Sequence, residues 1–260
     1  MSPSGQLPNR PLALVASAIV SCQRCQRLRS YCERIAVERR AAYRDQEYWG
    51  KPVPGFGDPR ARLLVLGLAP AAHGANRTGR VFTGDGVGGS GDFLIAALNR
   101  AGFANINTST HRDDGLVLND AYIIAAVRCA PPDNKPLPDE ILACADHLDA
   151  ELAALPHLEV VVALGKIAWD AWFQSLTRHG AGIRPRPAFG HGVAIEFART
   201  FNRPESPSVR RRRLRGGSQG AMTVIDCYHP SRQNTNTGKV TPTMYDDVFR
   251  RVNQVLHGRL

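Results

Sequence analysis

No stretch of this 260-residue chain approaches the roughly 20 apolar residues that a membrane span requires. The nearest, PLALVASAIV (11–20), runs straight into SCQRCQRLRS, and its apolar spacing continues through Leu28. It reads as a helix leading into a cysteine site of a cytoplasmic protein, not as a signal-peptide core. Acidic residues are also short: 23 Asp and Glu face 33 Lys and Arg, for a net charge of +10. That imbalance suits a polyanionic partner, with nucleic acid first and a membrane surface second, because guanidinium groups match phosphate. The six cysteines form no pattern of a secreted disulfide framework. No internal repeat and no break in composition divide the chain, so a single domain over 1–260 is expected. Within it, 1–9 is expected to be disordered and 199–220, rich in Pro, Ser, Gly and Arg, to be a flexible basic insertion.

What is present is an alternation of short apolar runs and amphipathic segments. RLLVLGLA (62–69), DAYIIAAVRC (120–129), LEVVVALG (158–165) and AMTVIDCYH (221–229) read as four core strands, with HGVAIEFA as a possible short edge. Helices are expected from about Pro11, over Arg34–Tyr48, and at 89–102, 138–155, 166–176 and from about Thr241. The pattern predicts a three-layer α/β/α fold around a mostly parallel four-stranded sheet. Ligands in such folds bind at the carboxyl ends of strands, where the loops after residues 68, 129 and 228 leave.

Cys22-x-x-Cys25 is a chelate pair, and zinc, redox and iron–sulfur readings are all open to it. Cys129 ends a strand and Cys144 lies in the following helix, so a turn brings a second pair together. Four thiolates from distant segments select zinc or an iron–sulfur cluster, and the chemistry of the residues does not separate the two. Cys32 is the spare, and Cys227 is expected to be buried in the last strand.

The stretch GLAPAAHGANRTGRVFTGDG (67–86) is a glycine-rich loop after a strand. Its GDGVGG (84–89) matches G-x-G-x-x-G formally, yet that motif should follow its strand at once, and here NRTGR and more intervene. No Walker A lysine follows. A purely structural loop is the second reading. The third is a resemblance: this stretch and HPSRQNTNTGKVTP (229–242) look like the two active-site motifs of family 5 uracil-DNA glycosylases, the UDGb group. VRCAPPDNKP (127–136) is similar to that family's central motif. Cys22, Cys25, Cys129 and Cys144 resemble the [4Fe–4S] ligands shared by families 4 and 5, with zinc the alternative metal. The likeness runs from about Cys22 to the last helix.

The resemblance implies a monofunctional hydrolase that excises uracil, and other deaminated bases such as hypoxanthine and xanthine, from DNA. Backbone around Gly67, Leu68 and Ala69 would meet the base edge, and Phe82 would stack on the flipped ring. His229 would donate to uracil O2, and Asp85 would be the carboxylate assisting hydrolysis, with Asn134 beside it. Gly89 and Ser90 at a helix start, with Ser231, Arg232 and Gln233, would contact DNA. GLAPA carries no polar side chain and Ala125 stands where family 4 places an Asn, so strict selection for uracil is not implied. The implied partner is lesion-bearing DNA, bound by a monomer with no membrane association. Each residue also has a structural reading: Phe82 in the core, His229 in a turn, Asp85 in an Asx-turn, and His73 as a loop residue. A protein that binds damaged DNA without cutting it, stapled by its metal, is the alternative function.

Overall fold

The computed structural model describes residues 10–84, 86, 88–198 and 221–258. Asp85, residues 1–9 and the basic stretch 199–220 therefore lie outside the described residues. In chain order the elements are α1 (Arg10–Val20), α2 (Gln26–Glu38), β1 (Phe56–Gly57), β2 (Leu63–Gly67), α3 (Ala75–Thr78), α4 (Ser90–Arg100) and β3 (Ala121–Ala125). They continue with α5 (Pro138–Ala153), β4 (Val160–Leu164), α6 (Lys166–Arg178), β5 (Ala194–Ala198), β6 (Ala221–Cys227), α7 (Arg232–Asn236) and α8 (Pro242–His257).

β2, β3 and β4 are unbroken apolar runs buried along their whole length, as strands covered on both faces must be. Successive side chains point to opposite faces. Leu63 and Val65 join Leu94, Leu98, Phe249 and Val252 beneath α4 and α8. Leu64 and Leu66 join Leu12, Leu148, Trp169 and Trp172 beneath α1, α5 and α6. The three layers are thus as expected, and both tryptophans are core residues.

The sheet order is β1-β3-β2-β4-β6-β5. β3, β2, β4 and β6 are parallel, while β1 and β5 pair antiparallel at the two edges. The expected four-stranded sheet is therefore the parallel centre of a six-stranded one. β5 is the HGVAIEFA edge, and β1 is only two residues long, too short to leave a periodic signal in the sequence. The chain builds outward from β2 to β3 on one side and to β4 on the other. Where neighbouring strands diverge in this way, their carboxyl-end loops part and open a crevice.

Two helix expectations are corrected. The apolar pattern from Pro11 to Leu28 is two helices, because residues 21–25 leave helical geometry and turn Cys22 and Cys25 out of the α1 axis. The charged helix expected over Arg34–Tyr48 is the end of α2 plus one 3₁₀ turn at Ala41–Tyr43. Arg39 adopts a left-handed φ of 52° there, and its backbone N–H closes the helix on Ile35 O.

One ion pair is sealed inside the layers. Arg128 Nη1 lies 2.6 Å from Glu151 Oε2, and both side chains are 1% exposed. Glu151 Oε1 also accepts the Gly55 N–H at 2.8 Å. Removing one member of such a pair strands the other charge. Glu151→Ala is expected to lower the unfolding free energy by about 3–5 kcal/mol, and joint replacement by Glu151→Leu and Arg128→Met to recover most of it. Denaturant titration of the three proteins reads both effects.

Candidate active site and thiol cluster

The carboxyl ends of β2, β3 and β6 enclose a cleft of about 670 Å³. Leu68, Ala69, Pro70 and Ala125 form its base, Phe82 and His229 flank it, and Asn134, Gly89, Ser90, Ser231 and Arg232 surround them. Gly67 stands directly behind. A Cβ there would sit 2.7 Å from Phe82 Cε2 and 2.9 Å from Cζ, so the missing side chain is the space that the Phe82 ring occupies. Gly91, in the first turn of α4, likewise leaves room for the Phe82 carbonyl, 2.3 Å from where its Cβ would be. Phe82 itself holds a left-handed φ of 49°.

The charged residues of NRTGR turn out to brace this loop. Arg77 donates to His73 O at 2.9 Å, to Gly84 O at 2.6 Å and to the Gln46 side chain, while its guanidinium stacks 4.0 Å from the Tyr43 ring centroid. Arg80 donates to Thr83 Oγ1, Arg112 O, Ser109 Oγ and Asp114 Oδ2. Both arginines are buried. Gly84 and Gly86, on either side of Asp85, are thus placed at the cleft: Gly84 lines it, and Gly86 lies against Arg232 and the Tyr43 hydroxyl.

His229 follows β6 and approaches Phe82 with ring centroids 6.1 Å apart. Asn234 Nδ2 holds the His229 carbonyl at 2.8 Å, and a Cβ on Gly165 would come within 3.3 Å of His229 Cβ. Burial pushes the His229 imidazole down to about 4, so it is neutral and carries a single N–H. Asn134 and Asp133 take consecutive left-handed conformations, φ 56° and 53°, on a 3₁₀ turn whose polar groups face the cleft from the β3 side. Two such residues in succession are costly and persist where surrounding structure imposes them.

HPSRQNTNTG, read as a polar turn, contains the short helix α7. Ser231 caps it, its Oγ accepting the Asn234 N–H at 3.3 Å. Arg232 lies at the cleft mouth, whereas Gln233, exposed on α7, does not line the cleft. The sequence reading missed Tyr31, Arg40, Tyr43 and Asp133, and assigned no site role to His73; all five line the cleft. Asp133 sits beside Asn134 in the same turn and was within reach of the reading. The two tyrosines and Arg40 come from α2 and its following turn, and only the packing of α2 against α3 brings them there.

Behind the cleft the cysteines converge. Cys129, Cys144 and Cys32 form a small apolar cluster with Leu28, Val127 and Ala130, against which Cys25 packs. Burial and the neighbouring Cys144, Cys129 and Cys22 push the Cys25 thiol up to about 11. Cys32 Sγ donates to Ala130 O at 3.6 Å. Ion pairs set the register of the two halves: Arg27 grips Glu140 at 2.8 Å and Arg24 reaches Asp146 at 2.9 Å. Among the described residues no three His, Cys, Asp or Glu side chains close to single-ion spacing. Cys227 is buried in β6, as expected, next to Tyr245.

The model of the uracil DNA glycosylase superfamily matches residues 54–257 of this chain. The chain is 47% identical over 241 residues to the type-5 uracil-DNA glycosylase of Mycobacterium tuberculosis, covering 92% of this chain and 80% of that protein. It is 42% identical over 237 residues to the type-5 enzyme of Thermus thermophilus, covering 91% and 94%. A type-4 uracil-DNA glycosylase of Pyrobaculum aerophilum is 27% identical over 185 residues, covering 69% and 84%.

The desolvated imidazole of His229 has a consequence for stability. Unfolded, His229 takes up a proton near its ordinary value of 6.5; folded, only near 4. Between these values the unfolded state binds more protons, so stability falls as pH drops from about 6.5 to about 4 and this contribution levels off below. His229→Phe is expected to flatten that part of a stability-versus-pH profile, measured by denaturant titration at half-unit steps.

Proposed function

This chain belongs to the uracil DNA glycosylase superfamily, and from that membership we propose that it hydrolyses the N-glycosidic bond of uracil in DNA and so initiates base excision repair. The observation that carries the reading is the cleft itself: Phe82, the neutral His229 and the braced loop around Asp85 meet at the carboxyl ends of β2 and β6. The net charge of +10 suits the polyanionic substrate. The reading extends to a monomer acting in the cytoplasm. Among the described residues no helix is long and apolar enough to cross a membrane.

The target base leaves the stack at a cost of a few kcal/mol, which favours mispaired and damaged positions. Its ring stacks on Phe82, and its edge meets the backbone of Leu68 and Ala69. The C1′–N1 bond then breaks, its electron pair going to the base, and negative charge gathers on O2. The single N–H of His229 donates there; losing one such donor typically costs about 3–4 kcal/mol of barrier. A neutral imidazole suits this role because it stabilises the anion without having to transfer its proton. Asp85 faces the positive charge on the sugar and takes the proton of the water that adds to C1′, with Asn134 orienting that water. No lysine lines the cleft among the described residues, which supports simple hydrolysis without a Schiff base. Ala125 places no amide at the base edge, which favours acceptance of hypoxanthine and xanthine beside uracil.

Cys22, Cys25, Cys129 and Cys144 fit a [4Fe–4S] cluster better than zinc. A zinc ion needs every sulfur about 2.3 Å from one point, a spacing that no three such side chains among the described residues reach, whereas a cluster spreads its four thiolates over its irons. Bound there, the group would cross-link the turn between α1 and α2, the loop after β3, and α5.

Wild-type protein is expected to leave alkali-labile sites in uracil-containing duplex. Asp85→Ala is expected to lower the single-turnover rate by about 10²-fold or more; a near-wild-type rate overturns the role given to Asp85. Gly67→Ala displaces the Phe82 ring and is expected to cost up to about 10²-fold in the same assay with little change in melting temperature. Anaerobically purified protein is expected to absorb near 400 nm, roughly where iron–sulfur clusters do, and Cys144→Ser to lose that band. A colourless, zinc-loaded wild type overturns the cluster.

A further inference from the structure

The α2 side of the cleft is unused by the chemistry above, yet it is built from polar groups in a defined arrangement. Tyr48 is buried, and its hydroxyl lies 3.1 Å from His73 Nδ1. The same oxygen accepts the Arg40 backbone N–H at 3.3 Å. The Tyr48 proton has no acceptor among the described residues other than His73 Nδ1, and a buried hydroxyl without one is costly. Tyr48 therefore donates to Nδ1, and the proton of the neutral ring sits on Nε2. The ring stands edge-on to Tyr48, at 82°, and the His73 carbonyl is held by Arg77 Nε at 2.9 Å. His73 is thus a fixed N–H donor on the cleft wall, with no partner for Nε2 among the described residues.

Arg40 lines the same wall, is exposed and forms no ion pair among the described residues. Arg77 adds a second positive charge behind. Burial, Arg40 and Arg77 together hold the His73 ring below its ordinary range, so it enters the site as a donor without charge of its own. A neutral donor beside an exposed guanidinium suits an oxygen-rich anion far better than the flat, uncharged edge of a base.

We propose that His73 and Arg40 form a phosphate-binding subsite that holds one backbone phosphate of the strand carrying the flipped nucleotide. His73 Nε2–H and the Arg40 guanidinium donate to its non-bridging oxygens, and Tyr48 fixes the tautomer. The subsite shares the cleft with the α4 start at Gly89 and Ser90. The inference rests on the reading of the substrate as DNA.

The test uses full-length protein and uracil-containing duplexes with one neutral methylphosphonate at each linkage around the uridine in turn. Wild type is expected to lose about tenfold or more in affinity at one linkage, as when a charge-assisted hydrogen bond is lost. At that linkage His73→Phe and Arg40→Ala are expected to lose nothing further, while elsewhere their losses multiply with that of the modification. Arg40→Ala is also expected to reduce the slope of log affinity against log salt by about 0.9. His73→Gln, which keeps a side-chain N–H donor, is expected to recover part of the loss. Arg40 is exposed, so its variant tests the subsite even where His73→Phe fails to fold. Losses that multiply at every linkage overturn the subsite. So does a His73→Phe defect that vanishes on a base lacking a ring carbonyl, since His73 would then be reading the base. Wild type that leaves no abasic sites overturns the glycosidase reading, which separates the two failures.

Discussion

A buried guanidinium must find acceptors for its donors, and Arg77 finds them in the loop that needs shaping. His73 O, Gly84 O and the Gln46 side chain take its hydrogen bonds, and the Tyr43 ring covers its face. A loop this rich in glycine has high conformational entropy when unfolded and few side chains with which to pack. Arg77 and Arg80 replace that missing packing with a polar network in a low-dielectric setting, where satisfied bonds are strong and broken ones costly. Gly84 is consequently held at the cleft.

The same network joins the active cleft to the thiol cluster. The Arg77 carbonyl accepts the Trp49 N–H at 2.8 Å, and the neighbouring Asn76 carbonyl accepts the Gly50 N–H at 3.0 Å. Asn76 Nδ2 reaches Cys32 O at 3.4 Å, and Arg29 Nη2 reaches Gly50 O at 3.0 Å. Arg29 also lies against Cys129. The cysteine corner therefore holds the α2 scaffold against which the catalytic loop is braced, and α2 in turn carries Tyr31 and leads directly to Arg40, Tyr43 and Tyr48.

The central strands were legible because burial on both faces demands unbroken apolar runs, and Leu63–Leu66, Ile123–Ile124 and Val160–Val162 are that. Of the edges, β5 was legible as HGVAIEFA, whereas β1 is two residues long and left no periodic signal. The α1–α2 break was hidden because Leu12, Ile19 and Leu28 keep helical spacing across a turn whose cause is cysteine convergence, a tertiary demand. Arg77 and Arg80 were read as a charged interruption that argued against a phosphate loop. They are charged, but buried, since each finds acceptors within the loop and also in distant residues, Gln46 for Arg77 and Ser109, Arg112 and Asp114 for Arg80.

The sequence alone determined the layered α/β class, the loops that line the cleft, the convergence of Cys22 and Cys25 with Cys129 and Cys144 and, by resemblance, the family. These follow from periodicity, from glycine where backbone must come close, and from residue types at motif spacing. The tertiary structure alone decided that His229 is neutral, that Gly67 leaves the space that Phe82 fills, and that the Tyr48 hydroxyl meets His73 Nδ1 on the cleft wall. Each of those depends on which distant group lies within a few ångströms, and hence on desolvation, steric exclusion and the direction of a single hydrogen bond, none of which is encoded locally in the chain.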